Sequence, residues 1–139
     1  MLRTVARRVS IVIWHNPACG TSRNTLAMIR ATGAESEVVA FLETPPSRAA
    51  LVTVAAAVGG VRTLLRTKGT PAADLGLAAA SDEAILDAML IYPILIERPV
   101  VFGPRGTVLA RPSERVLEIL DAPLPAAFTK EDGEVVGLA

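Results

Sequence analysis

The chain is poor in the residues on which most redox and metal chemistry rests. Its 139 residues hold one cysteine, Cys19, and one histidine, His15. A single cysteine excludes an internal disulfide framework and a C-x-x-C redox pair. One Cys and one His are too few ligands for a zinc centre, so no metal and no bound cofactor are expected. Aromatic residues make up 4% of the chain against 51% apolar residues overall, so the core is expected to be aliphatic. Charge of neither sign is in excess, since 14 Lys and Arg face 14 Asp and Glu. A general nucleic-acid or membrane surface needs a basic excess, so neither partner is expected. No stretch comes near the roughly 20 apolar residues of a membrane-crossing helix. The N-terminal "MLRTVARRVSIVIW" does place basic residues before an apolar run. That run, Val9–Trp14, is short, holds a serine and leads straight into polar His15 and Asn16. It reads as a buried strand rather than a secretory signal. A lone thiol suits a reducing compartment. The expectation is a soluble, cytoplasmic monomer with a single domain over residues 1–139.

The pattern along the chain is that of an α/β protein. Val9–Trp14 reads as a buried strand, His15–Thr21 as a loop, and Ser22–Thr32 as a helix stopped by Gly33. Glu37–Leu42 reads as a second strand. Ser47 can cap a helix running to about Val58, closed by Gly59-Gly60. Strand, helix and strand in this order build a parallel pair, and ligands gather where such strands hand over to helices. The middle, Val61–Ala80, is less regular, with a short helical piece around Arg62–Arg66. Ser81 caps a further helix whose first turn carries Asp82 and Glu83, where the macrodipole favours acids; Pro93 closes it. Val100–Phe102 and Val108–Ala110, joined by Gly103-Pro104-Arg105-Gly106, read as a hairpin. Pro112-Ser113-Glu114 opens a last helix, and the Pro- and Gly-rich tail beyond Asp121 reads as a surface wrap. The fold expected is a thioredoxin-like mixed sheet flanked by helices, with a helical insertion before the C-terminal β-hairpin.

The chemistry gathers in "WHNPACGTSRNTL", Trp14–Leu26. The flanks of Cys19 are small, polar and turn-forming, unlike those of a core cysteine. It precedes a helix, whose first backbone N–H groups have no partners within the helix. Such a setting, with a nearby cation, lowers a thiol pKa from about 8.5 to between roughly 3.5 and 7.5. His15 and Arg23 are the candidate local cations. Asn16, Gly20, Thr21 and Ser22 offer donors for a small anion at the same helix start, and Thr21 and Ser22 can also cap the helix. A nucleophile inside an oxyanion cradle points to attack on a central atom carrying several oxygens. The phosphatase signature C-x5-R is absent, since the residue six after Cys19 is Thr25. Arg66, Arg98 and Arg111 are candidate oxyanion ligands. Arg98 and Arg111 each precede a proline at a strand boundary, and the hairpin would bring them near one another. Arg98-Pro99 falls where a cis-proline faces the active cysteine in thioredoxin-like folds, so a cis bond is expected there.

These segments resemble, in order, the arsenate reductases that use glutathione and glutaredoxin. "HNPACGTSRNTLAMIRATGAE" is similar to the active-site segment of that family. "FLETPPSR", "VRTLLRTKGTP", "YPILIERPVV", "LARPSERVLEIL" and "AFTKEDGE" follow as in its members. The resemblance spans about Ile11–Gly133. It implies that Cys19 is the nucleophile and that His15 helps to hold the thiolate. It also implies that Arg66, Arg98 and Arg111 bind the oxyanion and the arsenic intermediate. Arsenate becomes arsenite, with glutathione as co-substrate and a glutaredoxin as protein partner. The alternative is a thioredoxin-fold regulatory protein or thiol transferase without this activity; such relatives usually lack the full arginine set.

Overall fold

A computed structural model of the chain describes residues 11–137. Val9 and Ser10, the start of the expected first strand, lie outside the described residues. Four strands form one sheet in the order β2-β1-β3-β4. They are β1 (Val12–His15), β2 (Glu37–Ala40), β3 (Val100–Gly103) and β4 (Gly106–Leu109). β1 and β2 run parallel, with Val12 opposite Glu37 and His15 opposite Ala40. β3 runs antiparallel to β1, with Trp14 opposite Val100, and pairs with β4 through a hairpin closed at Gly103–Gly106. This is the expected mixed sheet flanked by helices.

Side chains alternate across a strand, so the sheet has two apolar faces. Ile11, Ile13, Val101 and Val108 turn to one face. They meet α1 (Gly20–Ala31) through Leu26, Met28 and Ile29. Trp14, Val100 and Leu109 turn to the other, where α2 (Arg48–Val58), α3 (Val61–Leu64) and α4 (Asp82–Ile91) supply Leu51, Val54, Leu64, Ile85 and Met89. Trp14 meets Phe102 edge to face, with ring centroids 5.2 Å apart. The core is otherwise aliphatic apart from Phe41, which is fully buried. No helix among the described residues is long and apolar enough to cross a membrane.

Helix starts follow the capping chemistry of the sequence. The Ser47 Oγ accepts a hydrogen bond from the Ala50 N–H and the Ser81 Oγ from the Ala84 N–H, as an N-cap serine should. Elsewhere the boundaries differ from expectation. α1 begins two residues before Ser22, because Cys19 itself, with extended backbone, is its N-cap. β2 stops at Ala40 rather than Leu42: Glu43 and Thr44 both donate their N–H to the Ala40 carbonyl, closing a turn. The last helix is a 3-10 helix, Ser113–Ile119. Side chains three apart stack on such a helix, and Ser113, Val116 and Ile119 are the buried ones. The tail forms a small hairpin, β5 (Phe128–Thr129) with β6 (Val135–Val136). It is pinned by Lys130, buried between Glu114 at 2.6 Å and Glu134 at 2.7 Å.

The insertion is tied to the sheet at one place that matters below. Leu65 bridges Ile96 in antiparallel fashion. The Arg66 N–H donates to Leu95 O at 2.8 Å, and the Glu97 N–H to Leu64 O at 2.7 Å. Arg66 is thereby held beside the strand approach that carries Glu97 and Arg98.

The hairpin and the 3-10 helix also approach closely. A Cβ on Gly103 would sit 2.8 Å from the Ile119 carbonyl oxygen and 3.0 Å from its Cδ1. The nearest atom is backbone, and the Ile119 side chain is itself packed in the core. Gly103→Ala should therefore cost about 1–3 kcal/mol, as overpacking does. Urea denaturation checks this, and an unchanged midpoint would contradict the packing described.

Candidate active site around Cys19

β1 delivers its last residue, His15, to a tight turn. The Asn16 Oδ1 accepts from the Ala18 N–H at 2.9 Å, and the Cys19 N–H donates to Asn16 O at 3.0 Å. Cys19 then stands at the N-terminus of α1 with φ −100 and ψ 121. Its sulfur makes no capping hydrogen bond of full geometry, but the N–H groups of the first turn face it. Burial pushes the thiol pKa up. The Ser22 N–H, the Arg111 guanidinium and the Thr21 N–H outweigh that and bring it below the ordinary thiol value. The helix start thus serves Cys19 through its backbone.

Arg111 completes the setting from the far side of the hairpin. Its Nη1 lies 3.7 Å from the Cys19 Sγ and donates to the Arg98 carbonyl at 2.9 Å. The strand register explains the meeting. Val100 faces Leu109, the Ala110 N–H donates to Pro99 O, and Arg98 and Arg111 come next. The Arg98-Pro99 bond is cis, as expected, and so is Arg111-Pro112, which was not.

Arg98 is 5% exposed. Its Nη1 donates to the carbonyls of Ile94 at 2.8 Å and Ile96 at 3.0 Å, while its buried Nε has no partner. Burial and then the nearby Arg66 lower its pKa, while the charges of Cys19 and Glu97 act the other way. A guanidinium does not deprotonate in a protein, so this records first the burial of a charge and then the crowding of like charges. Arg66 reaches the same cluster. Its Nη1 pairs with the Glu97 Oε1 at 2.9 Å and its Nε donates to Lys68 O at 3.1 Å.

The remaining site residues take other parts. Ser22 is fully buried, and its Oγ meets His15 Nδ1 at 2.6 Å and accepts from the Asn16 N–H at 3.1 Å. It neither caps the helix nor turns its hydroxyl to an anion, and only its backbone faces the sulfur. His15 was expected as a cation. Burial, then the charges of Arg30 and Arg23, push its pKa below 6.5, which favours the neutral ring, and that ring hydrogen-bonds Ser22. Arg23 is held by Glu131 in a two-pronged pair, 2.8 Å on each prong, and donates to Pro17 O at 2.8 Å. Glu131 offsets part of its charge, which still acts on His15 and feels the Cys19 thiolate. Asn16 uses its side-chain oxygen within the turn. Space does not demand glycine at Gly20, where a Cβ would make ordinary contacts with Arg23 and Glu131. Two acids escaped the sequence reading, Glu97 and Glu131. The first directly precedes a motif arginine, which was the available signal. A groove of about 490 Å³ lined by His15, Pro17, Arg23, Leu26, Ala27 and Arg30 runs down α1 from the loop. No three metal-ligating side chains gather among the described residues.

Comparisons with known proteins place the chain by sequence and by fold. The sequence pattern of the ArsC family matches residues 14–119. The chain is 58% identical over 131 residues to a protein of Rhizobium meliloti (strain 1021) named arsenate reductase, covering 92% of this chain and 94% of that one. It is 55% identical over 130 residues to an Escherichia coli protein of the same name, covering 91% and 92%. A solved arsenate reductase from Vibrio cholerae superposes with a TM-score of 0.76 at 40% identity. That match covers 82% of this chain and all of the other.

The lowered His15 pKa sets a pH dependence. A histidine whose folded pKa lies below its unfolded value favours the neutral fold. Its contribution is complete above the ordinary 6.5 and is lost as pH falls through the lower folded value. Urea midpoints measured from neutral to mildly acidic pH should fall more steeply for the native chain than for His15→Gln. Parallel curves would mean that His15 is not buried neutral.

Proposed function

The chain belongs to the ArsC family, and from that premise we propose that it reduces arsenate to arsenite through a covalent adduct on Cys19. The observation that carries this reading is the convergence of Arg111 on a lone thiol at a helix N-terminus. Arsenate is a tetrahedral dianion at neutral pH. Guanidinium groups suit its geometry, and the buried, unpartnered Nε of Arg98 is a donor with a hydrogen bond still to make. Arg66, Arg98 and Arg111 bind the oxyanion, with the N–H groups of Gly20, Thr21 and Ser22 at the helix start.

The Cys19 thiolate attacks arsenic, forming a sulfur–arsenic bond while the arsenate hydroxyl leaves and takes up a proton from solvent to become water. This is nucleophilic catalysis by a thiol of lowered pKa, with fixed cations stabilising the spread charge. As(V) must then gain two electrons. Cys19 has no second cysteine in the chain, so external thiols supply them. Glutathione joins the arsenic through sulfur with loss of a second water. A glutaredoxin thiolate attacks the glutathione sulfur, and the pair of electrons in the bond from that sulfur to arsenic stays on arsenic. Glutathione departs as a mixed disulfide with glutaredoxin, arsenic is now As(III), and water frees arsenite and the Cys19 thiol. The groove beside the loop, with Arg30 along it, gives anionic glutathione an approach. The chain acts as a monomer in the reducing cytoplasm, where both thiol partners work, and the role is arsenic detoxification.

Arsenate-dependent NADPH consumption with glutathione, glutaredoxin and glutathione reductase tests this. The native chain should turn over and Cys19→Ser should not. Arg98→Lys and Arg111→Lys should lower kcat/KM by roughly 10- to 100-fold, the cost of a lost charge-assisted contact. No turnover by the native chain, or turnover that survives Cys19→Ser, would sink the proposal.

A further inference from the structure

Three guanidinium groups stand within one small site, and they repel one another. The charges of Arg66 and Arg111 both bear on Arg98. With no anion present, such a cluster should splay into solvent wherever a side chain is long enough to do so. Arg98 is buried and anchored to two carbonyls, but Arg66 and Arg111 are more open. One carboxylate touches all three residues, two through their guanidiniums and Arg98 through its backbone. The Glu97 Oε1 accepts from Arg66 Nη1 at 2.9 Å and from the Arg98 backbone N–H at 3.3 Å. It also stands 3.8 Å from Arg111 Nε, an ion pair without a hydrogen bond. The Glu97 side chain is 18% exposed, so solvent and salt screen these attractions far less than those of a surface pair. Its own backbone is fixed by the bond to Leu64 O.

We infer that Glu97 is a positioning residue, an internal counter-anion that holds Arg66 and Arg111 in their binding orientations before an oxyanion arrives. It touches neither the sulfur nor the reacting atoms. Its action runs through the guanidiniums, most directly through Arg66, which it hydrogen-bonds, and at longer range through Arg111, whose other end meets Cys19. One acid among three arginines also leaves the site net positive, so that a dianion is still attracted. The inference rests on the oxyanion reading above, and its test has a part that does not.

Only two roles for Glu97 move the site chemistry, and they move it in opposite directions. If Glu97 is a positioner, neutralising it lets Arg111 leave the sulfur, and the thiol midpoint rises. If it is only a background charge, neutralising it leaves the arginines in place with less negative potential nearby, and the midpoint falls. The experiment is alkylation of Cys19 by iodoacetamide across pH, with and without arsenate, in the native chain, Glu97→Gln and Glu97→Asp. Thermal melts of each confirm that the fold persists. Glu97→Gln is expected to raise the thiol midpoint. It should also raise the arsenate concentration giving half-protection, by on the order of tenfold. Glu97→Asp, which keeps the charge but loses reach, should move both in the same direction by less. It carries the test alone if Glu97→Gln does not fold. A lowered midpoint with tighter protection, or no change in either, overturns the inference. Native protein that arsenate fails to protect overturns the arsenate reading instead, while the thiol midpoints still decide the role of Glu97.

Discussion

The contact between Arg111 and Cys19 is the link on which the rest of the site depends. A thiol at a helix N-terminus gains stabilisation from backbone N–H groups, but burial opposes ionisation, and at Cys19 burial is the largest single influence. The guanidinium Nη1, 3.7 Å from the sulfur and tied to the Arg98 carbonyl, helps to reverse the balance. That bridge exists because of sheet register. β1 hands Cys19 to the loop at the same edge where β3 and β4 bring Arg98 and Arg111 side by side. A one-residue slip in either pairing would turn these side chains to the opposite face of the sheet.

The charges around this link are arranged by neutralisation as much as by attraction. Glu131, from the turn of the C-terminal hairpin, takes up Arg23 and ties the tail to the start of α1. His15 is kept neutral by burial and by Arg30 and Arg23, so it adds no charge beside the thiol. Glu97 contacts Arg66, Arg111 and the Arg98 backbone, the three arginines proposed to bind the oxyanion. Positive charge is thus left in excess beside the thiol and partly offset at Arg23. The buried Nε of Arg98, without a partner, is the kind of polar cost that a structure carries for binding.

Much of this was legible in the sequence, for identifiable reasons. The thiol loop announced itself by composition, since the flanks "NPA" and "GTS" are small, polar and turn-forming, unlike those of a core cysteine. The hairpin spacing placed Arg98 near Arg111 because register follows from turn length. Ser47 and Ser81 marked helix starts because capping is local. What could not be read was tertiary. That His15 would be neutral depends on burial and on Arg30, fifteen residues away. That Ser22 would turn inward, to His15 and Asn16, depends on the path of the loop. Arg66 meets Glu97 only because the insertion folds back through the Leu65–Ile96 bridge. The 3-10 helix at Ser113–Ile119 shares its buried positions with an α-helix over one turn, so periodicity alone did not separate the two.

The central claim is that one thiol, without a partner cysteine, is held ready as an anion by the helix start and Arg111. Ultraviolet titration of the Cys19 thiolate, in the native chain and in Arg111→Ala, tests it most directly. The account predicts a native midpoint well below the roughly 8.5 of a free thiol and an upward shift when the guanidinium is removed. A native midpoint at or above the free-thiol value, or one indifferent to Arg111, would contradict it.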